Sequence, residues 1–198
     1  MNQKKAQGNV LFPIFLKIDQ LQVLIVGGGN VGLEKLEALL KNDPNARVNL
    51  VGISIKKEIV DLSHQHPNIS LSERAFQEHD LEGVDVAILA TADRKTNLEI
   101  KNLARGRRIL TNVADTPDLC DFYLGSTVKK GDLKIGISTN GTSPTFAKRF
   151  REVLEDILPD ETNALLQNLR GIRDNLKGNF SYKVKKLNEV TSSLVSNK

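Results

Sequence analysis

The stretch of sequence that decides the fold is Gln22-Val23-Leu24-Ile25-Val26-Gly27-Gly28-Gly29-Asn30-Val31-Gly32. An unbroken apolar run leads directly into glycines, which is the pattern of a buried parallel strand that ends at a tight turn. The next residues keep an apolar face at helical spacing, with Leu33, Leu36, Leu39 and Leu40. The segment therefore predicts a strand, a glycine turn and an amphipathic helix.

The turn contains Gly27, Gly29 and Gly32 at the spacing G-x-G-x-x-G. Glycine permits a tight turn and a close approach to a pyrophosphate, and the helix N-terminus offers free N–H groups. The last glycine permits close packing of the helix on the sheet. In this position the motif predicts a dinucleotide site, and a tight turn without a ligand remains the alternative.

Further along the chain, apolar runs alternate with helical patterns up to residue 114. Strands are predicted at residues 12–18, 48–51, 69–71, 84–90 and 108–114, and a helix at 94–107. Because parallel neighbours need a crossover connection, this alternation predicts an α/β fold with a Rossmann-like, doubly wound parallel sheet.

The pattern changes after Asp115. Two strands are predicted at residues 122–128 and 133–138, joined as a hairpin, and helices at 143–159 and from 160 to about 177. We therefore expect a Rossmann-like domain over residues 1–115, a small β-hairpin domain over 116–150 and a C-terminal helical segment with a polar tail over 151–198. The basic tail suits a solvated or subunit-packing helix.

The charge balance favours an acidic partner. The 198-residue chain carries 28 Lys and Arg against 24 Asp and Glu, a formal net charge of +4. Because there is no Trp and aromatic residues make up 5%, the stacking platforms of single-strand binders are scarce. A polyanionic small molecule therefore fits at least as well as nucleic acid.

Cysteine usage and apolar content indicate the compartment. Cys120 is the single cysteine, which excludes an internal disulfide and a cysteine zinc site, and the N-terminal residues lack the apolar stretch of a secretion signal. The apolar runs fall far short of the roughly 20 residues that a membrane span needs. We expect a cytoplasmic protein with no membrane span.

The second Rossmann strand lacks, at its end, the acidic residue that usually bonds the adenosine ribose. Its place falls around Ile53 and Ser54, and the Ser54 hydroxyl can bond a ribose. Lys56 and Lys57 follow, either as surface lysines or as partners of a 2′-phosphate, so this segment leaves NAD and NADP open. Thr91, just past a later apolar run, is a predicted cofactor neighbour at the carboxyl edge of the sheet.

Asp115 follows the strand predicted at residues 108–114, within Asn112-Val113-Ala114-Asp115-Thr116-Pro117. A carboxylate at the carboxyl end of a parallel strand faces the ligand crevice, where it can accept a proton. The alternative is that Asp115 caps the Asp-Thr-Pro turn, as Asp often does. Spacing alone favours neither.

A small polar segment, Ser138-Thr139-Asn140-Gly141-Thr142-Ser143-Pro144, leads from a strand into a helix. Ser143 fits the N-cap and Pro144 the first helical position. The free N–H groups of such a helix, with Lys148 and further basic residues behind them, suit a carboxylate or phosphate. A helix start without a ligand is equally compatible.

No metal site is predicted. His64 and His66 stand two apart in an expected solvated loop, without a carboxylate or cysteine cluster beside them. Cys120 has no neighbouring His or basic partner in the sequence, so we expect inert packing rather than nucleophilic chemistry.

Taken together, residues from about 12 to 175 resemble the precorrin-2 dehydrogenase family, also known as the N-terminal region of siroheme synthase. The ordered set of motifs is far more specific than a glycine motif alone. The matching elements are Phe12-Pro13-Ile14-Phe15-Leu16, Val26-Gly27-Gly28-Gly29-Asn30-Val31, Lys35, Arg74 before Asp80-Leu81, Ala90-Thr91 with Asn97, Asn112-Val113-Ala114-Asp115, and Gly141-Thr142-Ser143-Pro144 followed by Arg151-Glu152-Val153-Leu154-Glu155.

The resemblance implies an NAD-dependent oxidoreductase that converts precorrin-2, a tetrapyrrole with eight carboxylates, to sirohydrochlorin in siroheme biosynthesis. Some members also act as ferrochelatases, so the resemblance admits ferrous iron as a second substrate. It implies a homodimer as well, because many members form dimers whose second domains interlock. Residues 116–150 would then be the dimerisation and substrate domain, and neither nucleic acid nor a membrane is an implied partner.

Residue by residue, the resemblance makes Asp115 the catalytic aspartate. The expected cofactor-binding residues are Gly27, Gly29, Asn30, Val31, Gly32, Ile53, Ser54 and Thr91. The expected substrate-binding residues are Ser138, Asn140, Gly141, Thr142, Ser143 and Lys148, with a basic rim of Lys129, Lys130, Lys134, Lys148 and Arg149. The chain departs from the family pattern at Gly32, where many relatives have Ala, and at Ile53, where Pro is common. The departure at Ile53 leaves adenosine recognition open.

A different class remains open. The same strand, turn and helix occur in nucleotide-sensing regulatory modules of channels and transporters. Those modules usually have an acidic residue at the end of their second strand, and this chain has none there. Such a module gives no account of Asp115 or of residues 142–144. A third class, a basic scaffold that binds nucleic acid through its C-terminal tail, depends on net charge alone.

Overall fold

The computed structural model describes residues 8–192. The described chain forms two compact units, one made of residues 13–124 and the other of residues 8–12 and 125–192. The division of the chain at residues 115 and 150 remains a prediction, but the contacts of residues 116–124 group this segment with the first unit.

The first unit contains one parallel sheet. Its strands are β1 (Gln22–Gly28), β2 (Arg47–Ile55), β3 (Ile69–Glu73), β4 (Val86–Leu89) and β5 (Leu110–Val113). They lie in the order β3-β2-β1-β4-β5. The crossover helices are α1 (Asn30–Asn42), α2 (Lys57–Gln65) and α3 (Arg94–Gly106). The direction of strand order reverses at β1, which confirms the predicted Rossmann-like α/β fold.

The sheet is buried on both faces, which explains the unbroken apolar run of β1. Val23 packs on one side with Leu36 of α1, and Leu24 packs on the other side with Ile100 of α3. Because successive side chains of a strand point to opposite faces, a strand covered on both sides needs apolar residues at every position.

The second unit contains the predicted hairpin, β6 (Ser126–Lys130) and β7 (Leu133–Ile137), followed by α4 (Pro144–Ile157), α5 (Thr162–Asn175) and α6 (Phe180–Thr191). Gly131 takes the left-handed conformation, with φ 58°, in the tight connection. The hairpin and the C-terminal helical segment are confirmed, and residues 193–198 of the predicted polar tail lie outside the described residues. No helix in residues 8–192 has both the length and the apolar content needed to cross a bilayer.

Two local predictions are wrong. Residues 12–18 form no strand, because Pro13 has no N–H to donate and the neighbouring Phe12 and Phe15 are exposed instead of being covered in a sheet. Residues 57–65 form α2, which was not predicted, so His64 lies in the last turn of a helix and not in a loop.

Candidate active site

The predicted cofactor residues and Asp115 lie along one edge of the sheet. The glycine turn begins at the end of β1, Ser54 lies near the end of β2, Thr91 follows β4 and Asp115 follows β5. Because these strands are parallel, their carboxyl ends share the edge where such sheets bind ligands. With neighbouring strands ~4.8 Å apart, β5 lies roughly 10 Å from β1, a distance that a dinucleotide spans.

Close packing requires glycine at positions 27 and 32 of the turn. Gly27 has φ 122°, and a Cβ there would lie 2.4 Å from the carbonyl oxygen of Ala90. A Cβ at Gly32 would lie 1.9 Å from the carbonyl oxygen of Gly27. Position 32 therefore accepts an alanine only if the turn itself shifts.

Gly29 differs from these two, because a Cβ there would have no atom within 4 Å. It is the N-cap of α1, no side chain caps the helix, and the first turn holds no acidic residue. The first N–H groups of a helix have no partner inside it and attract negative charge. The helix start at Asn30 and Val31 is therefore an open cradle that fits a pyrophosphate.

The end of β2 packs against the glycine turn. The Lys56 N–H donates to the carbonyl oxygen of Gly28 at 3.0 Å, and a Cβ at Gly28 would lie 2.3 Å from the carbonyl oxygen of Ser54. Ile53 is 80% exposed. Ile53 and Ser54 therefore lie beside the turn on an open surface, the position that contact with an adenosine group requires.

Asn97, on α3, fixes the loop that follows β4. The Thr91 hydroxyl donates to Asn97 Oδ1 at 2.7 Å, and Asn97 Nδ2 donates to the Thr91 carbonyl oxygen at 3.1 Å. Asn97 is 3% exposed. Asn97 is not among the predicted site residues, and its one signal in the sequence is its place among the family motifs.

Asp115 has a left-handed backbone, with φ 54°, and its side chain is exposed. Within residues 8–192 its carboxylate accepts no hydrogen bond and forms no ion pair. The turn is closed instead by Thr116, whose N–H donates to the carbonyl oxygen of Val113 at 3.3 Å and whose hydroxyl donates to that of Ala114 at 3.1 Å. The carboxylate of Asp115 therefore does not cap its turn, and it remains available to a ligand.

A cluster of hydrogen-bonded side chains holds the two ends of the loop that carries Asp115. Its members lie on β5, on α3 and in the segment that follows the loop. Lys101, which is 9% exposed, donates to the Thr111 hydroxyl and to the Asp121 carboxylate. The Thr111 N–H also donates to Asp121 at 2.9 Å. Partial burial acts to raise the pKa of Asp121, but the hydrogen bonds from Lys101 and Thr111 outweigh it and hold this pKa below its usual value.

Cys120 packs beside β5, in the segment that follows the Asp115 loop. Its thiol donates to the carbonyl oxygen of Val113 at 3.2 Å and accepts from the Val113 N–H at 3.2 Å. Burial raises the pKa of the thiol, which opposes thiolate formation. These contacts fit the inert packing expected for Cys120. The His, Cys, Asp and Glu side chains of residues 8–192 form no group of three or more that suits a metal ion.

The predicted substrate-binding residues lie in the second unit, where β7 connects to α4. Ser143 is the N-cap, as predicted, because its Oγ accepts from the Phe146 N–H at 3.1 Å and Pro144 begins the helix. Asn140 and Gly141 have left-handed backbones. The exposed members of the predicted set are Ser138, Asn140, Gly141, Thr142 and Lys148. Their role in substrate binding stays a prediction.

The predicted basic rim is partly neutralised within its own unit. Lys130 pairs with Asp160 at 2.6 Å, and Arg149 pairs with a glutamate of its own helix. Lys129 and Lys134 are direct partners across the hairpin. Like charges directly opposite each other on a hairpin repel.

The strand order, the glycine turn and the open helix N-terminus define an NAD(P)-binding protein of the Rossmann class. Residues 14–126 match the family described as putative NAD(P)-binding, and residues 130–157 match the family described as sirohaem biosynthesis protein central. The chain belongs to the NAD(P)-binding family of the siroheme synthase N-terminal region, as its motifs predict.

Two siroheme synthases are among its relatives. The chain is 33% identical to siroheme synthase of Nitrosomonas europaea over 85% of this chain and 35% of that protein. It is 36% identical to siroheme synthase of Methylococcus capsulatus over 83% of this chain and 34% of that protein. The chain thus spans about a third of the length of these relatives.

A solved structure named SirC, precorrin-2 dehydrogenase, shares the fold. The TM-score is 0.73 at 23% sequence identity, and the match covers 91% of this chain and 89% of that one. The likeness therefore extends beyond the dinucleotide-binding unit to nearly the whole chain.

Proposed function

We propose that the chain catalyses the NAD-dependent oxidation of precorrin-2 to sirohydrochlorin, a step of siroheme biosynthesis. Its similarity to siroheme synthases over most of this chain supports this function. The observation that carries the proposal is the unpartnered Asp115 carboxylate on the strand edge that also holds the dinucleotide cradle.

The residues at the carboxyl edge of the parallel sheet can contact each part of NAD. The N–H groups at Asn30 and Val31 would hold the pyrophosphate, Ser54 the adenosine ribose, and Thr91, fixed by Asn97, the nicotinamide half. When bound, NAD supplies a hydride acceptor at the nicotinamide C4. The preference for NAD over NADP is part of the proposal and follows from the family resemblance.

Asp115 would act as the base. Oxidation of precorrin-2 removes a hydride and a proton, so that precorrin-2 and NAD⁺ give sirohydrochlorin, NADH and H⁺. A carboxylate near the nicotinamide is where the proton must go, and Asp115 follows β5, the second strand from the glycine turn. The Lys101–Asp121 pair at the base of the loop would keep this carboxylate in position.

The second unit would supply groups that recognise a carboxylate-rich tetrapyrrole. The start of α4 presents helix N–H groups capped by Ser143, and Lys148 follows one turn later. Lys129 and Lys134 add two cations on one face of the hairpin. Polar groups and cations of this kind bind carboxylates well.

We also propose that the chain forms a homodimer through α4. Phe146, Phe150, Val153 and Ile157 recur at helical spacing along this helix, and each is at least 42% exposed. The rings of Phe146 and Phe150 stack with centroids 5.9 Å apart. A contiguous exposed apolar stripe of this kind marks a protein contact surface, and the family resemblance makes a second copy its occupant.

Anaerobic incubation with precorrin-2 and NAD tests the proposed reaction. We expect NADH to appear together with the absorption spectrum of sirohydrochlorin. If NAD binds and the tetrapyrrole stays unchanged, the chain is a dinucleotide-sensing module and the proposal is wrong. Repeating the incubation with ferrous iron tests whether the metal insertion that the resemblance admits follows the oxidation.

A further inference from the structure

The side chain of Lys56 crosses the glycine turn. Its Nζ donates to Asn30 Oδ1 at 2.9 Å, and its backbone N–H donates to the carbonyl oxygen of Gly28 at 3.0 Å. Lys56 follows β2, whereas Asn30 is the first residue of α1, so the bond joins two elements that both border the pyrophosphate cradle. The ammonium is thereby held at the N-terminus of α1.

This placement puts a cation beside the positive end of a helix. The first turn of α1 has no acidic residue to offset the ammonium. The acid that Lys56 contacts is Glu58, at 3.1 Å, on the next helix, and the Glu58 side chain is 57% exposed. Because helix N-termini favour anions and disfavour cations, the arrangement is stabilised when an anion lies between the ammonium and the helix.

We infer that Lys56 binds a phosphate of the dinucleotide and is a determinant of cofactor affinity, an inference that rests on the proposed function. Asn30 holds the ammonium over the cradle while the site is empty, and a phosphate entering the cradle gains a charge-assisted hydrogen bond. The phosphate is one of the pyrophosphate, because the bond to Asn30 holds the ammonium at the helix start where the pyrophosphate would lie.

Lys57 provides a matched control. It carries the same charge one residue later and is exposed, and within residues 8–192 it makes no hydrogen bond or ion pair with the turn. A general effect of net charge on binding would appear equally at both lysines. A phosphate contact would appear at Lys56 alone.

The test measures dissociation constants for NADH and NADPH by nicotinamide fluorescence, with the full chain and no tetrapyrrole, at several salt concentrations. The variants are Lys56→Met, Lys56→Arg and Lys57→Met. We expect Lys56→Met to weaken the binding of both cofactors about ten- to a hundredfold. Weaker binding of NADPH alone would mean that Lys56 contacts a 2′-phosphate and would contradict the inferred pyrophosphate contact. Lys57→Met changes either constant by about twofold at most.

Two further readouts separate a phosphate contact from a structural effect. Lys56→Arg keeps the charge and should recover most of the affinity, and Lys56→Met should make binding less dependent on salt, because an ionic contact is lost. The inference is overturned if Lys56→Met binds both cofactors as the wild type does, or if Lys57→Met weakens binding equally. A wild-type chain that binds neither cofactor would overturn the proposed function as well.

Discussion

Asp115 is held with a left-handed backbone, and its carboxylate has no partner among residues 8–192. Asp is one of the few residues that tolerate this conformation. Non-glycine residues with a left-handed backbone cluster at active sites and ligand-binding segments. The fold therefore presents this carboxylate to the ligand edge of the sheet and does not use it for stability.

Replacing Asp115 by Asn removes the base and keeps the backbone, because Asn also tolerates the left-handed conformation. We expect turnover of precorrin-2 to fall about 10²- to 10⁴-fold, the usual range for a lost acid–base group. The dissociation constant for NAD should stay unchanged. Rates of NADH formation and NAD binding measure the two effects, and an Asp115→Asn variant with full activity would show that another group is the base.

Alanine substitutions at two glycines of the turn should affect different properties, NAD binding at one position and stability at the other. Gly29→Ala adds a methyl group in open space above the cradle, so we expect a fold of nearly wild-type stability that binds NAD more weakly. Gly32→Ala drives a Cβ to 1.9 Å from a carbonyl oxygen and should lower the free energy of unfolding by about 1–3 kcal/mol.

Denaturant unfolding and NAD binding of both variants check this prediction. Equal losses of stability at positions 29 and 32 would contradict it, as would wild-type affinity for NAD in a folded Gly29→Ala variant.

At the residue scale, the sequence predicts the groups that lie at strand ends and misses the groups that support them. The turn glycines and Asp115 follow from motif and position. Lys101, Asp121 and Asn97 contact partners six to twenty residues away, on other elements. Such contacts depend on how helices and loops pack on the sheet, which local patterns do not encode.

Among the connecting elements, the segment between β3 and β4 is fixed by Arg74 and Asp80. The guanidinium donates to both carboxylate oxygens at 2.8 and 2.6 Å, and the Gln77 N–H donates to Asp80 at 2.8 Å. The hydrogen bonds from Arg74, aided by that of Gln77, outweigh burial and hold the pKa of Asp80 below its usual value.

Because its pKa is lowered by folding, Asp80 contributes stability that is present above its unfolded pKa, near 4, and is lost as the pH falls through its folded pKa. We expect Asp80→Asn to lower the free energy of unfolding at pH 7 by about 1–3 kcal/mol. Below pH 4, the free energy of unfolding should fall less steeply with pH in this variant than in the wild type. Urea unfolding at pH 7 and between pH 4 and 3 measures both effects.

Asp118→Asn is the control for this pair. Asp118 pairs with Arg94 on the surface, with both side chains more than 60% exposed, so its loss should cost about 0–1 kcal/mol. If the two variants lose equal stability, the Arg74–Asp80 pair does not fix the segment as described.

At the element scale, prediction succeeds where the apolar pattern is long and repeated. The β1–α1 unit and the hairpin follow from it. The pattern fails for α2, a short helix with one fully buried residue, Ile59, and for residues 12–18, whose apolar residues read as a strand although no partner strand covers them. Whether an apolar segment is paired depends on the rest of the fold.

For the whole molecule, the exposed stripe on α4 predicts association of two copies. Phe150→Lys places a charge in the middle of the stripe and should convert the dimer to a monomer, because burying an unpaired charge is costly. Asp156→Lys, at an exposed position of the same helix, should leave the dimer intact. Sedimentation measures the mass, and circular dichroism confirms folding. A wild-type monomer, or a dimeric Phe150→Lys variant, would contradict the proposed interface.

The most direct measurement is an anaerobic single turnover, with the chain in excess over precorrin-2 and saturated with NAD. We predict that one NADH forms for each sirohydrochlorin, that both absorbance changes share one rate constant, and that Asp115→Asn slows both together. Sirohydrochlorin bands that fail to appear although NAD is bound, or NADH that forms without them, would contradict the assignment of this sheet edge as the active site.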